Sequence, residues 1–256
     1  LIHDVSFCAH PEWFRPREGL RRRLLTRRTA RAACTILTVS EFSRGEIVEH
    51  LGVPASRVRV VSPGIDPLPP GPDDRRRPRA LYVGSIFNRR HVPDLVRAFG
   101  PIARRHPEAS LDIIGDDRTY PVQDLRQVIG REGLDRSVHW HEYVTDTQLA
   151  ALYRSARAFA FLSTYEGFGL TPLEALAAGV PSILLDTPVA RESCGEAALY
   201  APAGDLGAIG TALERLLFDE PTRAGVLDAA PRTLARYDWA RAAAAVMDAL
   251  EACGGA

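Results

Sequence analysis

The chain has 256 residues, 46% of them hydrophobic and 25% charged, with 32 bases against 32 acids and a formal net charge of zero. These are the proportions of a globular protein of one large or two small domains, and the balance offers no overall positive field to nucleic acid. Every base is arginine, which excludes a Schiff-base or P-loop lysine, and no apolar run is long enough to span a membrane.

No signal peptide is read. Cys8, Cys34, Cys194 and Cys253 are scattered and lack metal-ligand spacing, which suits a reducing compartment. The first residue is Leu1 and the chain runs straight into a strand-like segment, so it reads as a fragment.

Residues 1–7 predict a short strand leading to a loop with His3 and Asp4, and His10-Pro11-Glu12-Trp13-Phe14 a turn with exposed aromatics. Residues 18–34 are arginine-rich, with Leu20, Leu24 and Leu25 at helical spacing. Such a helix either packs one face and solvates the other, or lies on an anionic membrane surface; the first reading is preferred. A strand is expected over 35–39, a helix over 40–51 with Ser40 as N-cap, and a strand over 58–61. Residues 67–78 are Pro, Gly and charge without apolar periodicity, and read as an interdomain linker.

From residue 79 strands and helices alternate. Strands are expected at 79–83, 110–114, 138–141, 158–163 and 180–185. Helices are expected at 92–105, 123–132, 143–154 and 170–178, with a terminal one over 238–253. This order argues for a parallel, doubly wound α/β sheet that binds ligand at the carboxyl ends of its strands. Loops 84–90, 115–117, 143–146 and 166–170 all follow strand ends, so one ligand can touch them all. Gly84 closes a strand and precedes Arg89 and Arg90, a candidate diphosphate clamp because guanidinium binds phosphate bidentately. Asp116-Asp117 is not an Asp-x-Asp pair. His139 and His141 alternate with Trp140 along one strand.

The stretch Tyr165-Glu166-Gly167-Phe168-Gly169-Leu170-Thr171-Pro172-Leu173-Glu174 carries most of the chemistry. Its glycines let backbone N–H groups approach a ligand closely, and the helix start beyond them favours an anion. Glu166 in the loop and Glu174 one turn into the helix would repel phosphate, so they are expected to meet hydroxyls, as on a sugar.

Those residues resemble the Glu-x7-Glu motif of the retaining glycosyltransferases of family 4, and the likeness runs over nearly the whole chain. Thr38-Val39-Ser40-Glu41-Phe42-Ser43 and Pro63-Gly64-Ile65-Asp66 match the family's crossing between domains. The resemblance implies a GT-B fold. Residues 1–66 would end the N-terminal, acceptor-side Rossmann-like domain, and 67–78 would link it to a nucleotide-sugar-binding domain over 79–236. Residues 237–256 would then pack back on the N-terminal part as a closing helix. The family's phosphate-binding segment corresponds to Gly84, Ser85, Arg89 and Arg90, with Arg90 where lysine is common. Gly115 ends the next strand, Tyr143 and Val144 would line the nucleobase pocket, and Phe168, Gly169, Leu170 and Thr171 form the motif turn. Glu174 would accept from the ribose hydroxyls and Glu166 would hold the donor sugar. His3 would approach the donor sugar or the acceptor, unless it only bonds a loop carbonyl.

The implied activity is retaining transfer of a hexose from a nucleoside-diphosphate sugar, without a metal or other cofactor, to a glycan or lipid-linked acceptor. The opening His-Asp and Pro-Glu-Trp-Phe are similar to bacterial members that build envelope polysaccharides, often mannosyltransferases. That implies a cytoplasmic protein, with possible peripheral contact at the inner face of the membrane. Because much of the usual N-terminal domain is missing, the chain also reads as a donor-binding module, inactive alone or completed by another chain. A GT-B phosphorylase or epimerase fits the paired glutamates less well.

Overall fold

The computed structural model describes residues 1–66 and 76–254. Most of the expected linker, 67–75, lies outside the described residues.

Two parallel sheets form. The smaller joins β1 (Ile36–Thr38) to β2 (Val58–Val60) in the register Ile36 opposite Val58. Three helices accompany it: α1 (Ser6–Ala9), α2 (Pro16–Ala32) and α3 (Glu41–Leu51). Val5, Ile36, Ile47 and Val58 close its separate apolar core. Ser40 is the N-cap of α3, its hydroxyl accepting the Ser43 N–H, and Gly52 ends that helix in the left-handed region, as a C-terminal glycine does at little cost.

The larger sheet has six strands: β3 (Arg79–Val83), β4 (Ser110–Ile114), β5 (Val138–His141), β6 (Ala158–Phe161), β7 (Ser182–Leu185) and β8 (Ala198–Ala201). Their spatial order is β5-β4-β3-β6-β7-β8 and every pairing is parallel. All residues of β6 and β7 are buried, because helices cover both faces of a parallel sheet. The helices are α4 (Val92–Arg105), α5 (Leu125–Arg131), α6 (Asp146–Ser155), α7 (Leu170–Ala177), α8 (Pro188–Cys194), α9 (Leu206–Phe218), α10 (Glu220–Asp228), α11 (Ala230–Leu234) and α12 (Trp239–Gly254). α4 packs between α5 and α9, and α7 packs against α8 and α11. Leu81, Tyr82, Phe99, Leu111, Ile113 and Phe159 are fully buried, each side chain contributing about 1.5–3 kcal/mol by leaving water.

The chain winds outward from β3 through β4 to β5, then returns to the other side of β3 with β6. The carboxyl ends of β3 and β6 therefore flank the point where the strand order reverses, where open α/β sheets bind ligands.

Four expectations are corrected. Residues 1–5 form no strand: Ile2 donates to the Leu37 carbonyl (2.9 Å), and Asp4 then accepts from the Ser6 amide and hydroxyl (2.8 and 2.6 Å). That side-chain turn redirects the backbone into α1. Trp13 and Phe14 are half-buried rather than exposed, with Trp13 stacked on His10 at 3.8 Å. The packed face of α2 consists of Gly19, Arg23, Thr26 and Ala30, whereas Leu20, Leu24 and Leu25 are 52, 60 and 53% exposed. The cysteine reading also changes, because Cys34 and Cys253 form a disulfide, with Cα atoms 6.2 Å apart. A separation of 219 residues hides the pair until α12 returns to the end of α2. Cys8 and Cys194 are free.

Candidate active site

Three loops meet at the reversal point. The first leaves β3 at Gly84, whose N–H donates to the Ile114 carbonyl (2.8 Å). A β-carbon on Gly115, at the end of β4, would stand 2.0 Å from the Gly84 carbonyl oxygen, so only glycine lets the two strand ends close. Ile86 then pairs with Asp117 in a parallel bridge. The Ile86 amide donates to the Asp116 carbonyl and the Arg118 amide to that of Ile86. Asn88–Arg90 make one 3-10 turn.

Arg89 and Arg90 leave that turn toward the loop after β6. Arg89 Nε donates to the Tyr165 carbonyl (3.2 Å), and its guanidinium lies 4.4 Å from the centre of the Phe87 ring. Burial lowers its pKa, against the opposing pull of Glu166. Arg90 Nε donates to Glu166 Oε1 (2.8 Å) and Nη1 to the Ser85 carbonyl (3.0 Å). Burial, the largest single influence, would lower the Arg90 pKa, but the Glu166 carboxylate and the Tyr82 hydroxyl together leave it raised. Ser163 Oγ donates to the same Glu166 oxygen (2.9 Å), and the Thr164 amide donates to the Arg89 carbonyl (2.9 Å). The two loops are thus bonded together, and Glu166 is fixed in orientation.

Gly169, with φ +96°, starts α7, and no side chain caps that helix. Glu174 lies one turn in. Among the described residues its carboxylate has no hydrogen-bond or salt-bridge partner. Burial, and after it the charge of Asp66, raise its pKa. Asp66 accepts from the Trp239 indole N–H (3.0 Å), and Trp239 lies against Gly64, where a β-carbon would be 2.4 Å from the ring.

The remaining candidates are dispersed. Tyr143 is 80% exposed at the sheet rim; Val144 packs on the main core. The side chain of His3 is exposed, while its carbonyl accepts from Ser43 Oγ (3.0 Å). His3, Asp4, Trp13, Phe87 and Arg89 help line a cavity of about 740 Å³. It opens on the small-sheet side of Arg89, whereas Glu166 and Gly169 border only a gap of about 20 Å³. Asp116 is paired with Arg118, and Asp117 accepts the Thr119 amide. Away from this site, Glu46, Glu49 and His50 on α3 bring ligand atoms within 4.8 Å of one another; Glu46 already accepts from the Tyr165 hydroxyl (3.1 Å).

The sequence reading missed the contacts of α3. Ser40 and Ser43 both donate to the Gly167 carbonyl, and Glu192 accepts from the Glu41 and Phe42 amides (2.7 and 2.9 Å). Ser40 was visible as a cap; nothing in the sequence marked its second partner 127 positions away.

A doubly wound parallel sheet with Arg89, Arg90 and Glu166 at its reversal point, beside a smaller parallel sheet, defines an α/β protein of the GT-B type. Residues 77–219 match the family described as "Glycosyl transferases group 1", and residues 2–67 match "Glycosyltransferase Family 4". The chain belongs to the group 1 glycosyl transferases.

Among curated relatives, O-antigen chain mannosyltransferase B of Escherichia coli is 29% identical over 235 residues, covering 87% of this chain and 61% of that protein. A GDP-mannose:cellobiosyl-diphosphopolyprenol alpha-mannosyltransferase of Xanthomonas campestris is 31% identical over 166 residues, 64% of this chain and 43% of that protein. This chain therefore spans about half of the length of these relatives. Among solved structures, Anabaena HepE in complex with UDP and glucose superposes with a TM-score of 0.81 at 20% identity, covering 98% of this chain and 71% of that one. Sucrose-phosphate synthase from Thermosynechococcus elongatus gives 0.76 at 22%, covering 92% and 62%. At these identities the structural likeness speaks for the fold.

Proposed function

We propose that the protein transfers a hexose from a nucleoside-diphosphate sugar to a glycan or lipid-linked acceptor, with retention of configuration, in bacterial envelope polysaccharide synthesis. The observation that carries the reading is the joining of the β3 and β6 loops through Arg90 and Glu166 at 2.8 Å, at the reversal point of the sheet. Mannosyltransferase relatives support the hexose and the envelope setting.

In this reading the bond between the anomeric carbon and the diphosphate breaks, charge builds on the leaving oxygen, and the sugar becomes oxocarbenium-like. Arg89, aimed at the cavity side, receives the diphosphate. Arg90, whose Nε and Nη1 are held by Glu166 and Ser85, reaches it with Nη2. The amides around Gly169, Leu170 and Thr171 add donors at the start of α7, with Phe168 buried beneath the turn. Preorganised donors of this type contribute on the order of 3 kcal/mol each to the transition state. Glu166, already held by Arg90 and Ser163, meets the sugar hydroxyls and offsets positive charge at the anomeric carbon. Glu174 accepts from the ribose. Gly84 and Gly115 keep the floor free of side chains, and Ser85 follows between them and the arginines. Tyr143 and Val144 border the base, and His3 faces the sugar or the acceptor in the large cavity. No carboxylic acid is required for a diphosphate leaving group, unlike the acid of a glycosidase. We propose no cofactor and no metal; EDTA is then without effect on donor binding.

The proposed domain division is 1–66, a linker over 67–78, 79–236 and a closing segment 237–256. The proposed location is the cytoplasm at the inner membrane face. No helix among the described residues is long and apolar enough to cross a membrane, and the exposed leucines of α2 lie among seven arginines and one glutamate, a composition suited to an anionic surface. The Cys34–Cys253 bond bears on the location, since a reducing cytosol holds such pairs as thiols. Alkylation of the two cysteines in intact cells decides it.

Calorimetric titration of GDP and UDP, joined to a transfer assay with GDP-mannose and UDP-glucose, tests the function. Binding with turnover supports it. Binding with neither transfer nor donor hydrolysis favours a donor-binding module, and no binding of either nucleotide removes both.

A further inference from the structure

The first turn of α3 carries four amide N–H groups with no partner inside the helix, as every helix start does. With Ser40 as N-cap these belong to residues 40–43, since the Arg44 N–H already makes the first helical bond, to the Ser40 carbonyl (3.0 Å). The Ser40 hydroxyl takes the Ser43 N–H (3.0 Å), and the Glu41 and Phe42 N–H groups are taken by the two oxygens of Glu192, 2.7 and 2.9 Å away. Glu192 belongs to α8, beyond β7 of the large sheet, 151 positions from Glu41. A carboxylate on helix-start amides is favoured by charge as well as by hydrogen bonding.

The same turn of α3 holds the loop that carries Glu166. Ser40 and Ser43 donate to the Gly167 carbonyl. The Phe42 ring meets the Tyr165 ring edge-on at 5.4 Å, and the Tyr165 hydroxyl donates to Glu46 farther along α3 (3.1 Å). Tyr165 in turn orients Arg89 through its carbonyl. One helix start is therefore gripped from α8 and itself grips both neighbours of Glu166.

We infer that Glu192 is a positioning residue of this site: its carboxylate holds the start of α3 against the Tyr165–Gly167 loop, which sets Glu166 and Arg89. The contact stands on the geometry alone. Only its effect on turnover rests on the sugar-transfer reading.

The test uses Glu192→Ala and Glu192→Gln in the full chain, with residue-resolved amide hydrogen exchange as the first readout. In Glu192→Ala the Glu41 and Phe42 amides are expected to exchange about tenfold faster or more, the scale of losing a charge-assisted bond. Thr164, bonded to the Arg89 carbonyl, is expected to follow, and Ile209 in the core to stay unchanged. Glu192→Gln keeps one acceptor oxygen and falls between; should the alanine variant unfold, it carries the same comparison. With whichever of GDP-mannose or UDP-glucose the wild type turns over, kcat falls while the donor KM stays within about twofold, as expected when orientation and not ground-state binding is lost. Unchanged exchange at 41 and 42 overturns the contact. Faster exchange there with Thr164 and kcat unaltered overturns the positioning role. A wild type that turns over neither donor counts against sugar transfer, and exchange at Thr164 then decides positioning.

Discussion

Gly167 and His3 approach so closely that a β-carbon on residue 167 would sit 2.3 Å from the His3 carbonyl oxygen. The small sheet and the Glu166 loop touch through backbone here, and the neighbour cannot rotate away. Gly167→Ala is expected to cost about 1–3 kcal/mol, the usual range for forcing an extra carbon into a packed contact. Gly225→Ala is the control: nothing lies within 4 Å of its added carbon, it sits inside α10, and helix propensity makes it stabilising by about 0.5–1 kcal/mol. Denaturant unfolding of the two variants should give opposite signs. Equal, small effects would mean that the loop and the small sheet do not meet as described.

Arg90 and Glu166 have side chains only 15 and 16% exposed. Arg90→Ala strands a carboxylate that keeps one donor, Ser163 Oγ. Removing one partner of a buried pair typically costs about 3–5 kcal/mol; the retained hydroxyl and remaining exposure put the expected loss near the lower end. Glu166→Gln keeps the shape and an acceptor, so it should cost less stability than Arg90→Ala while abolishing more transfer activity. Thermal unfolding set beside initial rates checks the ordering.

How much of this was legible depended on the range of the interaction. β3, β4, β5 and α4 fall on their expected residues, since local apolar periodicity and a glycine or proline at the ends specify them. The turns after β3 and β4 were legible as turns because glycine there has a steric reason, as the Gly115–Gly84 contact demonstrates. Residues 1–5 misled, because a polar side chain, Asp4, overrode the apolar pattern of Leu1, Ile2 and Val5. The leucines of α2 misled in the opposite sense: spacing identifies a helix but cannot tell which face meets the core, and here arginine, threonine and small residues do. The disulfide, the Glu192 contact and the pairing of Arg90 with Glu166 join residues 76 to 219 positions apart. No local pattern encodes them.

The Cys34–Cys253 bond ties the end of α2 to the end of α12. Cross-linking residues that far apart restricts the unfolded chain and typically stabilises by about 2–4 kcal/mol. Dithiothreitol should therefore lower the melting temperature of the wild type and leave the Cys34→Ser/Cys253→Ser double variant, already lower, where it is. A reductant effect that persists in the double variant would point elsewhere, since Cys8 and Cys194 are already thiols.

Glu174 gives a prediction whose sign follows from its surroundings. Burial, and then the nearby charge of Asp66, raise its carboxyl pKa above the ordinary 4.5. A carboxyl with a higher pKa folded than unfolded binds its proton more tightly in the folded state. Stability contributed at this residue is therefore full at pH below 4.5, falls as pH rises through the raised value, and stays low above it. Glu174→Gln cannot ionise, so it should melt above the wild type at neutral pH, with the gap closing on acidification toward the ordinary carboxylate range. The same substitution removes the acceptor proposed for the ribose hydroxyls and should weaken nucleoside diphosphate binding by about 1.5–3 kcal/mol. Melting curves from pH 4 to 8, with titration of GDP and UDP at pH 7.5, measure both effects. A half-buried carboxylate kept for its ligand at the expense of the empty fold predicts higher stability with weaker binding in Glu174→Gln. A variant unaltered in both would remove Glu174 from the site.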